Sequence, residues 1–316
     1  VKIGLLGDLH IRSSRPVCRI DDYYENQFNK LAQAFDHFKD ENCKIVLQPG
    51  DFFHNYGKDP YDVVYDTIAF LMIYRLPIYL VFGQHDVKFH NTCLTDIPIQ
   101  ILNKTDLIHK IEKDKATKVT YLDESVYLYG SSWKEDHPKE TARARGFCTK
   151  ILVTHEMIIK NKRLWHGQKE YTEGRSLKHN TNFDLFVCGD NHQAFSLNNK
   201  VINCGSLMRM REDQENHQPQ YAIYDTKTRE LSVHKYKIDD FSQVAKKNTK
   251  KTEKDEEELK REIFAESLKN DLDDGELDYR TNINKVMKKR IRKKKTSFDD
   301  RVANIIEESL SEDINL

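Results

Sequence analysis

The chain carries no net charge, no paired cysteines and no long apolar run, and each absence narrows the field. Over 316 residues, 51 lysines and arginines balance 51 aspartates and glutamates. No overall field therefore selects a nucleic acid or an acidic partner, and only the local placement of charge can. Six cysteines (Cys18, Cys43, Cys93, Cys148, Cys188, Cys204) include no Cys-x-x-Cys pair. Cys188 and Cys204 lie in apolar runs and read as small buried hydrophobes. A reducing, intracellular and cytoplasmic setting is the simplest expectation. No apolar stretch approaches the ~20 residues of a membrane helix, and the first residues read as a strand rather than a charged leader. No membrane association and no internal repeat are expected. With 38% hydrophobic residues, there is material for one large domain plus an appendage, or two modest domains.

What is present is a set of short apolar runs that stop abruptly at polar residues. Ile3 to Leu6 ends at Gly7-Asp8-Leu9-His10, and Ile45 to Leu47 leads to Gly50-Asp51. Ile78 to Phe82 ends at Gly83-Gln84-His85-Asp86, Ile151 to Val153 at Thr154-His155, and Leu185 to Cys188 at Gly189-Asp190-Asn191-His192. Non-alternating apolar runs suit strands covered on both faces. Between them, Tyr23, Phe28, Leu31, Ala34, Phe35 and Phe38 follow helical spacing, as do Val63, Val64, Ile68, Leu71 and Met72. Strand and helix alternate, so an α/β sheet with helices outside is predicted, with its ligand site beyond the carboxyl ends of the strands. From Val201 on, Val201 to Cys204, Tyr221 to Tyr224 and Leu231 to Ile238 read as strands of a second sheet packed on the first.

The strand ends deliver Asp8, His10, Asp51, Gln84, His155, Asp190 and His192. Carboxylates with imidazoles, and no thiolate, suit a pair of divalent ions, Mn²⁺ foremost and Mg²⁺ as the alternative, rather than a structural zinc knot. Two ions about 3.5–4 Å apart need one bridging carboxylate and could clamp a phosphoryl group while activating a water. Asp51, on the central strand end, is the natural bridge. His85 beside Asp86 reads as an imidazole held by a carboxylate, able to protonate a leaving oxygen. A single Asp-Leu-His would be a weak signal, because both residues are frequent at strand ends for turn and capping reasons. Five such motifs in order form a far stronger one.

In this order, "GDLH", "GDFFH", "GQHD", "VTHE" and "GDNH" resemble the calcineurin-like metallophosphoesterase superfamily, whose pattern is DxH, GDxxx, GNHD, a lone His and GHxH. Where protein phosphatases of that superfamily place an arginine, this chain has His54, as in DNA repair nucleases of the SbcD type. The stretch "NCGSLMRMREDQENHQPQYAIYD" (203–225) is also similar to a segment of those nucleases. The resemblance covers roughly residues 1 to 238. It implies a four-layer α/β/β/α sandwich in which Asp8, His10, Asp51 and His192 hold one ion. Asp51 would bridge to a second, held with Gln84, His155 and Asp190. It also implies that His85 protonates the leaving group, Asp86 orients it, and His54 sits near the scissile phosphate or stiffens the ligand shell. Two positions depart from the pattern, and both fall on the second ion: Gln84 stands for asparagine, and Asp190 for the first histidine of the last motif.

The implied function is a Mn²⁺-dependent DNA nuclease in DNA repair or recombination, partnered by an SMC-like ATPase of the SbcC kind. Arg12, Arg15 and Arg209, with Arg19 and Arg211 beside them, are weaker candidates for contact with a DNA backbone. The domain reading is a nuclease domain over 1–240, a charged linker over 241–258 and a helical tail over 259–316. The tail carries apolar stripes at Leu259, Ile263, Phe264, Leu268 and at Val302, Ile305, Ile306, Leu310, with a basic run at 287–295 between them. Such helices suit a partner groove or DNA. A homodimer is compatible with the chain. Two rival readings stand: a phosphatase or nucleotide phosphodiesterase of the same superfamily, and a non-catalytic scaffold with a degraded second metal site. His37, His90 and His109 read as surface, loop or packing residues.

Overall fold

The apolar runs become strands because both of their faces are covered, as residue-by-residue burial makes plain. In chain order the first elements are β1 (Lys2–Leu5), α1 (Tyr23–Asp40), β2 (Ile45–Gln48), α2 (Tyr61–Tyr74), β3 (Ile78–Leu80), α3 (Pro98–Asn103) and β4 (Ile108–Lys110). Next come β5 (Thr117–Tyr121), β6 (Glu124–Ser131), β7 (Cys148–Thr154), β8 (Ile158–Ile159), β9 (Thr172–Glu173), α4 (Gly174–Leu177) and β10 (Leu185–Cys188). The last are β11 (Phe195–Leu197), β12 (Val201–Asn203), β13 (Gln220–Asp225), β14 (Glu230–Lys235) and α5 (Phe241–Val244). The computed structural model describes residues 1–55, 61–87, 97–138, 148–161, 163–164 and 168–246. These belong to one folded unit, Val1–Lys247.

Two six-stranded sheets form the centre. The first runs β14-β13-β1-β2-β3-β4 and the second β11-β12-β10-β7-β6-β5. In the first, β1 to β4 are parallel, while β13 and β14 add an antiparallel edge. In the second, β12, β10, β7 and β6 are parallel, with β11 and β5 antiparallel at the two edges. Alternate residues of each central strand enter different cores. Ile3, Leu5, Ile45 and Leu47 meet Ile151, Val153, Leu185 and Val187 between the sheets. Val46, Ile78 and Leu80 face the other way, toward Leu31, Phe35 and Phe38 of α1, Val63 and Leu71 of α2 and Leu102 of α3. Leu152, Phe186 and Cys188 face the outer side of the second sheet. Each such side chain contributes about 1.5–3 kcal/mol by leaving water, so the interior between the sheets rigidly fixes the strand ends.

Helix α1 starts where Asp22 Oδ1 accepts the backbone N–H of Glu25 at 3.0 Å, an N-cap. It buries Tyr23, Gln27, Leu31, Ala34, Phe35 and Phe38, the 3.6-residue stripe legible in the sequence.

Three expectations are corrected by this topology. The five motif strands do not share a sheet: β1, β2 and β3 lie in the first, β7 and β10 in the second. The strands around Tyr221 and Leu231 do not build the second sheet but extend the first. Alternation along a strand reports its half-exposure, not its partner, so the sequence pattern carries no information on that choice. Residues 241–245, expected to open the charged linker, belong to the folded domain, because Phe241, Val244 and Ala245 are buried; the expected linker from 247 on lies outside the described residues. Among the described residues the helical cover of the second sheet is slight, namely α4 with the small β8–β9 pair. His37 and His109 are packing residues: His37 lies edge-on to His234, and His109 stacks on Tyr79. No helix among the described residues is long and apolar enough to cross a membrane. His90, the basic run and the two apolar stripes of the tail lie outside the described residues.

Candidate metal centre

The carboxyl ends of the two sheets are tied together by backbone. Asp8 N–H donates to Gly205 O at 3.1 Å and Leu207 N–H to Asp8 O at 2.9 Å, which joins the loop after β1 to the loop after β12. His155, after β7 of the second sheet, donates Nδ1–H to Pro49 O, after β2 of the first, at 2.7 Å. Close approach makes glycine obligatory at Gly83, where a Cβ would meet Asp51 Oδ1 at 2.1 Å. His10, Asp51 and Asp190 have φ of 48°, 53° and 68°, left-handed values that non-glycine residues seldom adopt. Strain of this kind, about 1–3 kcal/mol each, persists where surrounding structure enforces it and clusters at functional sites.

The structure brings all seven strand-end residues named above into one place. His10 Nε2 lies 3.1 Å from His192 Nε2 and 3.6 Å from Asp51 Oδ2. His192 Nε2 lies 3.7 Å from Asp8 Oδ2. On the other side of Asp51, His155 Nε2 lies 3.4 Å from the same Oδ2 and 2.8 Å from Gln84 Oε1. Gln84 Nε2 in turn donates to Asp190 Oδ1 at 3.0 Å. Asp51 Oδ2 thus lies between two groups of ligand atoms, as a bridging carboxylate must.

Whether cations fit there is tested by the polar atoms left over. Asp8 Oδ1, Asp8 Oδ2 and Asp51 Oδ2 are buried and accept no hydrogen bond. A buried carboxylate without a partner is strongly unfavourable, and a cation resolves it. The donor atoms of Asp8, His10 and His192 lie within 4.8 Å of one another, as do those of His10, His54 and His85. These clusters could hold metal ions.

The electrostatics fit the same reading at Asp51, His10 and His192. Burial pushes the Asp8 carboxyl well up, against the pull of His155, with Asp51 and Asp190 adding to the rise. Burial also works on Asp51, but His155, His10 and His85 outweigh it and hold that carboxyl well below its usual range. His10 is pushed well down by burial, and His192 down by the same cause, which leaves neutral imidazoles fit to ligate. At His155 burial is overcome by Asp51, Asp8 and Asp190, and the imidazole is raised well above its usual value.

His85 and His54 border this cluster. Their rings stack with centroids 5.0 Å apart and planes 14° apart. His85 Nδ1–H donates to His54 O at 2.8 Å, so Nε2 is the nitrogen left for a leaving group. His85 N–H donates to Asp51 Oδ1 at 2.9 Å, which locks the proton donor to the bridging carboxylate. His54 Nδ1 lies 3.4 Å from His10 Nδ1. Burial first, then Arg12 and His85, lower His54 to about 3.

Two assignments are corrected. Asp86 does not orient His85. Its Oδ1 accepts the N–H groups of Phe52 and Phe53 at 2.9 and 3.1 Å, and its Oδ2 accepts Gly83 N–H at 3.0 Å. The carboxylate points back into the fold and fixes the Asp51 loop against the Gln84 loop. Arg209 is not a substrate contact. Its Nη2 donates to Asp239 O at 2.6 Å, and its guanidinium lies over the Phe241 ring at 5.4 Å. Of the other arginines, Arg15 is exposed, whereas Arg12 is half-buried and donates Nε–H to Ser14 Oγ at 2.9 Å. Buried Arg19 makes a two-pronged pair with Asp21, and Arg211 is exposed beside Asp213.

Sequence reasoning missed the residues that hold the loops. Gln48, fully buried at the end of β2, donates to Gly7 O at 3.2 Å and to Gly50 O, and accepts Gly50 N–H at 3.0 Å. Asn203 donates to Asn191 O at 2.7 Å and accepts Gly205 N–H at 2.8 Å. The available signal was a polar amide inside each otherwise apolar run, which in a doubly covered strand must find buried partners.

Comparison with known proteins supplies one family match: the model for calcineurin-like phosphoesterases matches residues 1–194. A dimetal phosphatase from Danio rerio is similar in structure, with a TM-score of 0.41 and 12% identity, over 70% of this chain and 91% of that chain. No curated protein matches the chain.

Proposed function

The chain belongs to the calcineurin-like phosphoesterase family, and from that premise we propose that it hydrolyses phosphodiesters, with DNA as substrate and Mn²⁺ as the ion, as nucleases of the SbcD type do. The observation that carries this reading is the placement of His85 and His54 beside the carboxylate–imidazole cluster. A departing alkoxide needs a proton, and His85, fixed through Nδ1 by the His54 carbonyl at 2.8 Å, has Nε2 to supply it. His54 presents an imidazole where the phosphatases carry a permanently charged guanidinium. That exchange suits a singly charged diester better than a dianionic monoester.

Asp8, His10, Asp51 and His192 would hold one ion, and Asp51, Gln84, His155 and Asp190 the other. Bound there, the ions supply charge for the phosphoryl oxygens and lower the pKa of water. Asp51 fixes the geometry by receiving His85 N–H on Oδ1 while turning Oδ2 to both groups of ligand atoms. Asp86 keeps the two loops at their spacing through three backbone N–H groups. Arg15 and Arg12, on the segment after the first motif, suit a phosphate backbone. The stripes and basic run of residues 259–316, read from sequence, suit docking on an SMC-like ATPase.

The deciding experiment compares Mn²⁺-dependent turnover of single-stranded DNA, an aryl phosphodiester and an aryl phosphomonoester by the full chain. DNA and the diester should be cleaved in preference to the monoester. A clear preference for the monoester would replace the nuclease reading with a phosphatase.

A further inference from the structure

The loop after β1, residues 12–20, is anchored at both ends and leaves its tip in solvent. At the near end Gln27, fully buried on α1, accepts Arg12 N–H at 3.1 Å and donates to Arg12 O at 2.8 Å. At the far end the chain around α5 runs alongside it: Ile20 N–H donates to Val244 O at 3.0 Å, and Lys246 N–H to Cys18 O at 2.8 Å. Two buried arginines complete that end. Arg19 donates from Nη1 to Arg209 O at 2.9 Å, and Asp21 Oδ1 holds Arg19 Nε at 2.8 Å. Arg209 in turn donates from Nη2 to Asp239 O at 2.6 Å and lays its guanidinium over Phe241, which joins stretches of chain 30 residues apart. Between the anchors Ser13, Ser14, Arg15 and Val17 are exposed. The loop borders the metal centre, since Ile11 N–H donates to Phe52 O at 2.9 Å and His54 N–H to Ile11 O at 3.1 Å.

We propose that Arg209 is a positioning residue for a polynucleotide substrate: through Asp239, Phe241 and the main chain of residues 244–246 it clasps the far end of this loop and so presents Arg15 to a phosphate backbone. The proposal rests on the nuclease reading above. A loop left loose must be ordered when substrate binds, and the entropy lost then subtracts from affinity. A loop anchored beforehand carries that cost in the fold instead. The gain reaches only a substrate long enough to touch the loop. A small aryl phosphodiester, which occupies the centre alone, draws nothing from it. Arginine suits the task because its planar fork can donate to Asp239 O while its flat face covers the Phe241 ring, and a lysine ammonium offers no such face. Arg209 thus acts on substrate without contact, through the loop it holds.

The test compares the full-length wild type with Arg209→Met, which keeps an unbranched stem over Phe241 and loses the bond to Asp239. Hydrogen exchange is read at single amides, and Mn²⁺-dependent kinetics are read with single-stranded DNA and with an aryl phosphodiester. Exchange at Ile20 and Lys246 should quicken by about tenfold or more, while the Arg12 amide, held by Gln27, stays as it was. KM for DNA should rise by about tenfold or more, with kcat and the aryl phosphodiester unchanged. Arg209→Lys, with one donor and no flat face, should fall between. Faster exchange with an unchanged KM for DNA would overturn the proposal and leave the nuclease reading standing. An equal loss on both substrates would also overturn it, since the residue would then act on the centre as a whole. Unchanged exchange would show that Arg209 does not hold the loop. A wild-type chain that hydrolyses the aryl phosphodiester and leaves DNA intact would overturn proposal and nuclease reading together. Should Arg209→Met not fold, Phe241→Leu weakens the same clasp, and Arg15→Ala at the exposed tip should by itself raise KM for DNA. An unchanged KM for DNA in Arg15→Ala would equally overturn the proposal.

Discussion

His85 lies flat against His54, ring planes 14° apart, and donates its Nδ1–H to the His54 carbonyl at 2.8 Å. The contact that aims the proton donor is thus a main-chain one, and it separates the roles of the two histidines. His85→Ser should lower turnover by about 10²–10⁴-fold while leaving Mn²⁺ stoichiometry unchanged in a metal titration. His54→Ala keeps the carbonyl and loses only the stacked ring, so its loss in kcat should be the smaller. If His54→Ala proves as damaging as His85→Ser, the assignment of Nε2 of His85 to the leaving group needs revision.

Asp86 supports the fold rather than the proton transfer. Asp86→Ala strands three buried N–H groups, those of Phe52, Phe53 and Gly83. Each costs about 1–3 kcal/mol unpaired, so the variant should lose about 3 kcal/mol or more in a denaturant titration. His85→Ser should lose little in the same experiment. An Asp86→Ala chain of native stability that is catalytically dead would restore Asp86 to the chemistry.

Gly83→Ala places a methyl group 2.1 Å from Asp51 Oδ1 and 2.5 Å from Asp51 N. Neither neighbour is the far end of a flexible chain. The variant should bind Mn²⁺ at least about tenfold more weakly than wild type, or fail to fold. Wild-type affinity in a folded Gly83→Ala chain would mean that the two loops do not meet as described.

Stability should depend on pH through Asp21, away from the centre. Burial pushes its carboxyl up, but the hydrogen bonds and charge of Arg19 outweigh that and hold it below its usual value. A carboxyl depressed in the folded state contributes stability that is complete above its unfolded pKa, near 3.9. That contribution is lost as pH falls through the lower folded value. Arg19 is buried, so Asp21→Asn should cost about 2 kcal/mol at pH 7. The difference from wild type should narrow on acidification below about pH 4. A difference that stays constant from pH 7 to pH 3 would contradict this.

The strand ends were readable because chemistry and burial coincide there. Ile45 to Leu47 is apolar on both faces, so Asp51, the first charged residue after it, had to lie beyond the carboxyl end of the strand. Helix α1 was readable from its stripe of Tyr23, Phe28, Leu31, Ala34, Phe35 and Phe38; its Asp22 cap emerged only in the structure. The division of the motif strands between two sheets was not readable, since β2 and β10 present the same apolar pattern yet pair with different neighbours. The partner of Asp86 was misjudged because adjacency to His85 in sequence suggested contact. The tight turn instead sends the carboxylate back to Phe52 and Phe53. Arg209 was misjudged for a related reason: an arginine after a glycine-serine pair looks available for phosphate, but Phe241 and Asp239 come from chain more than 25 residues away and close over it.

The most direct test of the whole account is a crystal structure of the full chain grown with Mn²⁺ and measured for anomalous scattering. Two anomalous peaks should flank Asp51 Oδ2, one toward Asp8, His10 and His192, the other toward Gln84, His155 and Asp190. A map with no anomalous peak within ligand distance of Asp51, at saturating Mn²⁺, would contradict it.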